Sequence, residues 1–466
     1  MTGAGDAQDQ LTLVRSRVRK TAAPPRPAAE LPIAKVAVDT SLAHLDRSFD
    51  YLVTAPQDQA AQPGVRVKVG FAGKELSGFL LERVARTDHQ GRLAALRRVV
   101  SPTVVLLPAI AELARQVADR YAGTRADVLR LAVPPRHARV EGETPPPIPR
   151  PTSPQGGDRM ITEAVAGWAD YPAGEAFINR LSRGEAPRAV WSALPGAEWP
   201  LVMAHAAAAA AASGRGAILA VPDRRDIERA DAAFSQVLGP DRHVVLSADL
   251  GPAARYRAFL AVARGRVQVV IGNRAAVFAP VHRLGLVAIW DDGDDSFVEP
   301  RAPYPHAREV LALRADQSAA AMLVGGHART AEAQRLLDAG WAQPLNTSRA
   351  MVRARSPLIR ISADVDTDLA SDPAARSARL PRRAFEAIRS ALDDGPVLMS
   401  IPRTGYLPAL ACNRCRQPAT CSRCAGPLAI DEEPPGLRCR WCNLTYGAFR
   451  CRHCDGDALR APVVGS

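Results

Sequence analysis

From position 33 the chain alternates short apolar and polar steps over 36–39, 49–53, 65–71 and 76–84, with polar or glycine-bearing breaks at His44, Asp46 and Arg47 and at Ala72, Gly73 and Lys74. Period-two alternation between such breaks predicts a small β-barrel-like unit. Apolar residues then recur at helical spacing over 104–121, with Ile110, Leu113 and Val117 on one face, and the run 128–133 stops at Pro134 and Pro135. Residues 33–138 are read as one domain. Positions 142–157 are dense in proline and glycine, so the stretch 139–165 is expected to be a linker, stiffened by proline and released by glycine.

Beyond it the pattern changes to fully apolar runs at 217–221, 243–247, 268–272, 286–290 and 321–325, separated by helical patterns such as 227–237 and 253–263. Strand–helix alternation with apolar strands predicts an α/β fold around a parallel sheet covered on both faces. Ligands of such sheets bind beyond the carboxyl ends of the strands. Here those ends carry Pro222 and Asp223, Gly272 to Arg274, Asp291 and Asp292, and Gly325 to His327. One further short strand is expected at 397–401.

All 8 cysteines fall between Cys412 and Cys454, as four Cys-x-x-Cys pairs: Cys412/Cys415, Cys421/Cys424, Cys439/Cys442 and Cys451/Cys454. Two such knuckles can aim four thiolates at one tetrahedral ion, so two zinc ions per chain are expected. Only the gap between the second and third pairs approaches the length of a zinc-ribbon loop. Cys421, Cys424, Cys439 and Cys442 are therefore expected to share one site, and Cys412, Cys415, Cys451 and Cys454 the other. Disulfides are the competing reading; without a signal peptide, intracellular reduced thiols are expected instead.

Charge narrows the partner. With 60 Lys and Arg against 48 Asp and Glu the chain carries +12, which favours an anionic partner such as nucleic acid. The alanine run 206–212 falls far short of the roughly 20 apolar residues of a membrane span. Only Lys20, Lys35, Lys68 and Lys74 are lysine, and none follows. Residues 1–32 mix arginine and proline and are expected to form a disordered basic tail.

Phe49-Asp50-Tyr51, then the segments 270–280 (VIGNRAAVFAP) and 289–295 (IWDDGDD), then four cysteine knuckles, resemble in their order the PriA family of primosomal replication-restart proteins. The family resemblance implies a 3′-DNA-end-binding domain, a RecA-like superfamily 2 helicase lobe at 166–380, the start of a second lobe at 381–411 that is incomplete, and a two-zinc module at 412–456. It implies forked and single-stranded DNA as ligands. The partners it implies are primosome proteins, the replicative helicase loader and single-stranded DNA-binding protein, at a cytoplasmic, nucleoid-associated location. Phe49, Asp50 and Tyr51 occupy the family's pocket for the 3′-terminal nucleotide, with Gly73 and Arg97 as further members. Residues 402–406 and 408–410 are similar to the family's approach to the zinc module.

The helicase motifs depart from that family. A phosphate-binding loop needs Gly-x-x-x-x-Gly-Lys-Ser/Thr, in which backbone N–H groups cradle phosphate and the lysine neutralises it. At the corresponding place, 194–200, the chain reads Leu-Pro-Gly-Ala-Glu-Trp-Pro. The family's Asp-Glu-Glu-His becomes Trp290-Asp291-Asp292-Gly293, and its Ser-Ala-Thr becomes Gly326-His327-Ala328. The expectation is a fork-binding restart protein without ATP-driven unwinding. The alternatives are an active 3′–5′ helicase, perhaps completed by a separate polypeptide, and a zinc-ribbon adaptor of transcription.

Overall fold

The structure is a computed structural model that describes residues 26–144, 154–359, 382–400, 410–431 and 436–461. The chain divides into two compact units, one through Ser356 and one from Pro357. Among the described residues no helix is long and apolar enough to cross a membrane.

The first unit begins with a five-stranded antiparallel sheet in the order β2-β1-β4-β3-β5, built from β1 (Ile33–Val38), β2 (Ser48–Leu52), β3 (Arg66–Phe71), β4 (Lys74–Val84) and β5 (Arg98–Val99). β3 and β4 meet through Ala72 and Gly73, both at positive φ (46° and 80°), as a two-residue hairpin turn requires. The sheet curls until its two ends are bridged. Leu52 on β2 exchanges backbone bonds with Ala94 and Leu96, and Arg97 donates to Lys68 on β3. Val36, Val38, Tyr51, Val53, Val67, Val69 and Leu80 fill the interior.

The basic-tail expectation is corrected at its end, residues 1–25 lying outside the described ones. Ala28 is buried in the small-sheet core and donates to Val53, while Arg83 bonds the carbonyls of Glu30 and Leu31. Residues 26–32 are thus held by β2 and β4.

The second sheet has seven parallel strands in the order β12-β6-β11-β10-β7-β9-β8. They are β6 (Arg188–Ser192), β7 (Gly216–Ala220), β8 (His243–Leu246), β9 (Val269–Gly272), β10 (Leu284–Trp290), β11 (Ala321–Gly326) and β12 (Gln343–Leu345). This is the RecA-like lobe; β6 and β12 were not among the expected strands. β6 holds only three successive apolar residues and β12 carries a proline, so periodicity gave neither a signal.

Alternate residues of each strand feed two cores. Ala189, Trp191, Leu219, Leu286, Ala288 and Leu323 face one side; Val190, Ile218, Val287, Ile289 and Val324 face the other. The second face is covered partly by the helices Pro108–Arg120 and Arg125–Ala132, whose Leu113, Val117, Val128 and Leu129 join its core and not that of the small sheet. The first face is covered by Gly174–Ser182, Trp199–Ala212 and Arg224–Leu238. A helix, Pro154–Gly167, also lies on it and occupies the later half of the expected linker. Ala164 and the adjoining Trp168 are fully buried there, and that burial outweighs the local proline and glycine content.

In the second unit, Arg382–Asp394 is helical, but 397–400 form no strand. Leu398 is 93% exposed, so no neighbouring strand covers it. Residues 402–406 and 408–409 lie outside the described ones. The cysteine module pairs β13 (Ala411–Cys412) with β17 (Leu459–Arg460), and β14 (Leu428–Asp431) with β15 (Gly436–Cys439) and β16 (Thr445–Tyr446). Its last strand lies just past the expected limit at 456.

Candidate functional sites

The incomplete closure of the small sheet leaves a cavity of about 760 Å³ lined by Lys35, 47–51, Gly70 and the loop 88–94. Asp50 and Asp88 are its acidic groups. The Asp50 carboxylate lies 3.8 Å from Lys35 Nζ, opposite it in the β1–β2 register, and accepts a short hydrogen bond from the Thr87 hydroxyl. Phe49 is half-buried: its ring meets Phe71 edge-on at 4.8 Å, and the Arg47 guanidinium sits 4.5 Å from its centroid.

The other expected members are placed unevenly. Tyr51 is buried in the sheet interior, its hydroxyl donating to the Gly70 carbonyl at 3.2 Å, and burial raises its pKa. Its ring is core, and only its edge reaches the cavity. Arg97 packs against Gly70, within 3.3 Å of where a β-carbon would sit. Gly73 is at the β3–β4 turn with open space around it, outside the cavity lining. Lys35, Arg47, His89 and Arg92 line the cavity unforeseen, because no local pattern joins the loop after β4 to β2.

At the carboxyl ends of the parallel strands, the loop 193–198 links β6 to the helix Trp199–Ala212. Its N–H groups are largely taken. Ala193 donates to the Gly326 carbonyl at 2.9 Å, Leu194 to the Tyr171 hydroxyl at 3.0 Å, Ala197 to Leu194 at 3.0 Å, and Pro195 has none to give. Glu198, at the N-cap, sets a carboxylate where a phosphate would approach.

Beside this loop an open cavity of about 630 Å³ is lined by Ala193, Pro195, Gly196, His327 and Arg329, and a buried cluster of aromatic rings lies in the core next to it. Trp290 stacks on Trp199 at 4.6 Å and 9°, and meets Trp191 at 5.5 Å and His327 at 5.2 Å. Trp191 in turn contacts Trp168 at 5.0 Å. All four tryptophans are at most 4% exposed. The two neighbouring aspartates differ. Asp292 is buried against Arg308 at 2.6 Å and accepts from the Thr330 hydroxyl at 2.9 Å. Asp291 turns outward at φ 52°, its pKa raised by desolvation and then by Asp294 and Asp292.

The cysteines form two cages, Cys412/Cys415/Cys451/Cys454 and Cys421/Cys424/Cys439/Cys442, each with its sulfurs within 4.8 Å of one another. The closest Sγ–Sγ contacts are 3.4–3.6 Å. A tetrahedral ion with bonds of about 2.3 Å to sulfur needs edges of about 3.8 Å, so the cages fit a metal ion closely. Backbone N–H groups of Arg423, Trp441 and His453 donate to Cys421, Cys439 and Cys451 at 3.3–3.4 Å, as knuckles that stabilise thiolates do. Desolvation opposes ionisation of Cys421, but the Tyr446 hydroxyl donating at 3.0 Å, with two backbone N–H groups, brings its pKa down to about 6. Against the lowering effect of the Gly426 N–H, desolvation and the thiols of Cys439 and Cys442 push Cys424 up to about 12. Four cysteine sulfurs at this spacing could hold one metal ion.

The family model of the PriA 3′ DNA-binding domain matches residues 35–134, the small sheet and the helices after it. The chain is 51% identical over 432 residues to the probable replication restart protein PriA of Mycobacterium tuberculosis, covering 91% of this chain and 64% of that one. The chain belongs to the PriA family. It is also 49% identical to the probable PriA of Mycobacterium leprae (91% of this chain, 65% of the other) and 22% identical to the PriA of Rickettsia conorii (88% and 60%). The chain thus spans about 64% of the length of the Mycobacterium tuberculosis relative and 65% of that of Mycobacterium leprae. Within the PriA 3′ DNA-binding domain, Asp50, Lys35 and Phe49 are the groups that meet at one opening.

Proposed function

We propose that this chain recognises stalled or abandoned replication forks through the 3′ end of the nascent leading strand, and helps reload the replisome without hydrolysing ATP. The observation that carries this reading is the pairing, in one compact unit, of a 3′ DNA-binding domain with a parallel-sheet lobe whose loop 193–198 has no lysine and is backed by a buried tryptophan cluster. Asp50 would accept a hydrogen bond from the terminal 3′-hydroxyl. Lys35, Arg47 and Arg97 would offset phosphate charge, and the Phe49 ring edge would bear on the terminal nucleotide. Gly73 would act from the neighbouring turn, letting the backbone approach.

The two cages would each hold zinc, the metal that four thiolates in tetrahedral array select, and so supply folding free energy to a module with little core of its own. Zinc here would be structural, with no open coordination position. Primosome proteins, the helicase loader and single-stranded DNA-binding protein are the partners proposed by family likeness, in the cytoplasm at the nucleoid.

A working 3′–5′ helicase is the rival reading. Phosphoryl transfer rests on positioning and charge neutralisation, and loop 193–198 offers neither a lysine nor a free N–H nest. The test measures forked-DNA affinity and DNA-stimulated ATP turnover on one preparation. Fork binding with no turnover is expected. Turnover approaching the roughly 1–1000 per second of ordinary enzymes would overturn the reading, and so would loss of fork binding.

A further inference from the structure

The most exposed aromatic ring of the cysteine module is Trp441, at 73% of its full surface. It occupies the third knuckle, Cys439-Arg440-Trp441-Cys442. An indole left in water forfeits the stabilisation its burial would give, and here the backbone holds it in that position. The Trp441 N–H donates to Cys439 Sγ at 3.4 Å, and the Arg440 N–H to the Pro427 carbonyl at 3.0 Å. One side of the ring system lies on Gly426: a β-carbon there would stand 2.8–2.9 Å from Trp441 Cβ, Cγ and Cδ2, so only glycine admits the ring. The side chain is thus fixed against the Gly426 backbone while most of its surface stays open.

The surroundings indicate what the open surface receives. The inner pairs of the four knuckles are Asn413-Arg414, Ser422-Arg423, Arg440-Trp441 and Arg452-His453, and all eight residues are exposed. The inner pair of each knuckle therefore holds one arginine and no carboxylate; Asp455, beside the last knuckle, pairs with Arg450 at 3.0 Å, and the Arg452 guanidinium donates to the Ser422 carbonyl at 2.9 Å. A rigid aromatic surface among regularly placed arginines is the pattern of a single-strand contact, in which cations follow the phosphates and the ring stacks on an unpaired base. A protein partner would be expected to cover a wider apolar patch. Ile430 is the other large apolar side chain exposed in the described part of the module, at 38%.

We propose that Trp441 is a stacking platform for a nucleobase of single-stranded DNA, with the knuckle arginines holding the flanking phosphates. The inference rests on the reading of the chain as a fork-binding protein, but it concerns a site separate from the 3′-end pocket. Its test uses the full chain loaded with zinc, with metal content confirmed for every variant, and titrates a labelled 20-nucleotide oligo-dT by fluorescence anisotropy. Trp441→Ala should bind on the order of ten-fold more weakly, and Trp441→Phe should retain most of the affinity. On an abasic strand of equal length, wild type and Trp441→Ala should bind alike. On oligo-dT blocked at its 3′ end, Trp441→Ala should lose as much affinity as on the unblocked strand, which separates failure of this site from failure of the 3′-end reading. Equal oligo-dT affinity of Trp441→Ala and wild type, at two zinc ions each, would overturn the proposal, and the exposed ring would then be assigned to a protein partner. An equal loss on the abasic strand would also overturn it.

Discussion

The indole rings of Trp199 and Trp290 lie 4.6 Å apart and within 9° of parallel, joining the first residue of a helix to the last residue of β10. In a helicase lobe those two places flank the triphosphate and its metal ion. Here the helix start and the strand end are stacked on each other, and Trp191 and Trp168 extend the cluster through the core.

This stack predicts that restoring single motif residues will not restore hydrolysis. Trp290→Asp should yield no DNA-stimulated ATP turnover, because loop 193–198 still lacks lysine and the N–H groups of Ala193, Leu194 and Ala197 remain taken. It should also destabilise the lobe, since it removes a buried indole and buries a carboxylate. Trp290→Ala alone should cost about 3–5 kcal/mol, read by urea denaturation. A Trp290→Asp protein of unchanged stability would show that the cluster is not packed as described.

Asp50→Ala should weaken binding to a fork with a free leading-strand 3′-hydroxyl by about ten- to hundred-fold, the range expected for a hydrogen bond to a charged group. A fork ending in 3′-phosphate should be little affected, since it offers no hydroxyl hydrogen at that atom. Asp50 also accepts from Thr87, so Thr87→Val is the control for its effect on the loop after β4. If both variants lose both forks equally, Asp50 acts through the loop and not on the DNA end.

Metal analysis should give two zinc ions per chain, released in separable steps by a chelator. Before chelation the eight cysteines should resist a thiol reagent; afterwards all should react, and the module should lose its protease resistance. One ion per chain, or cysteines already oxidised, would contradict the two-cage arrangement.

His306 caps the helix Ala307–Ser318 through Nδ1, which accepts the Arg308 N–H at 3.1 Å. A protonated ring cannot accept there. Burial, and next the Arg308 charge, lower its pKa in the folded chain. The unfolded chain therefore binds the extra proton first, so this contribution is present above the ordinary histidine pKa of about 6.5 and is lost as pH falls through it. His306→Asn keeps a capping oxygen and should flatten the dependence between about pH 7 and 5, while His306→Ala should cost about 1 kcal/mol at neutral pH. Denaturation midpoints across that range provide the measurement. An unchanged pH slope in His306→Asn would assign the dependence to other groups, His205 among them, whose pKa is also lowered by burial.

Spacing and periodicity carried much of this protein. The gaps between the Cys-x-x-Cys pairs already implied the two sets that the structure gathers, because a short chain segment restricts which knuckles can meet. The apolar runs at 217–221, 268–272 and 286–290 are strands of the parallel sheet, as their pattern predicted, and the absence of lysine after position 74 is legible in the sequence alone. Tertiary structure decided what those elements do to one another. Tyr51 sits beside Asp50 in sequence, yet a strand sends alternate side chains to opposite faces, so one is core and the other faces Lys35 and the cavity. Trp168, Trp191, Trp199 and Trp290 come from four separate elements, and nothing local in any of them says that the crossover from β6 past β11 and β10 brings them into one cluster. Local patterns report which face of an element is buried; which residues share a cavity depends on strand order, and that is set by the packing of the whole chain.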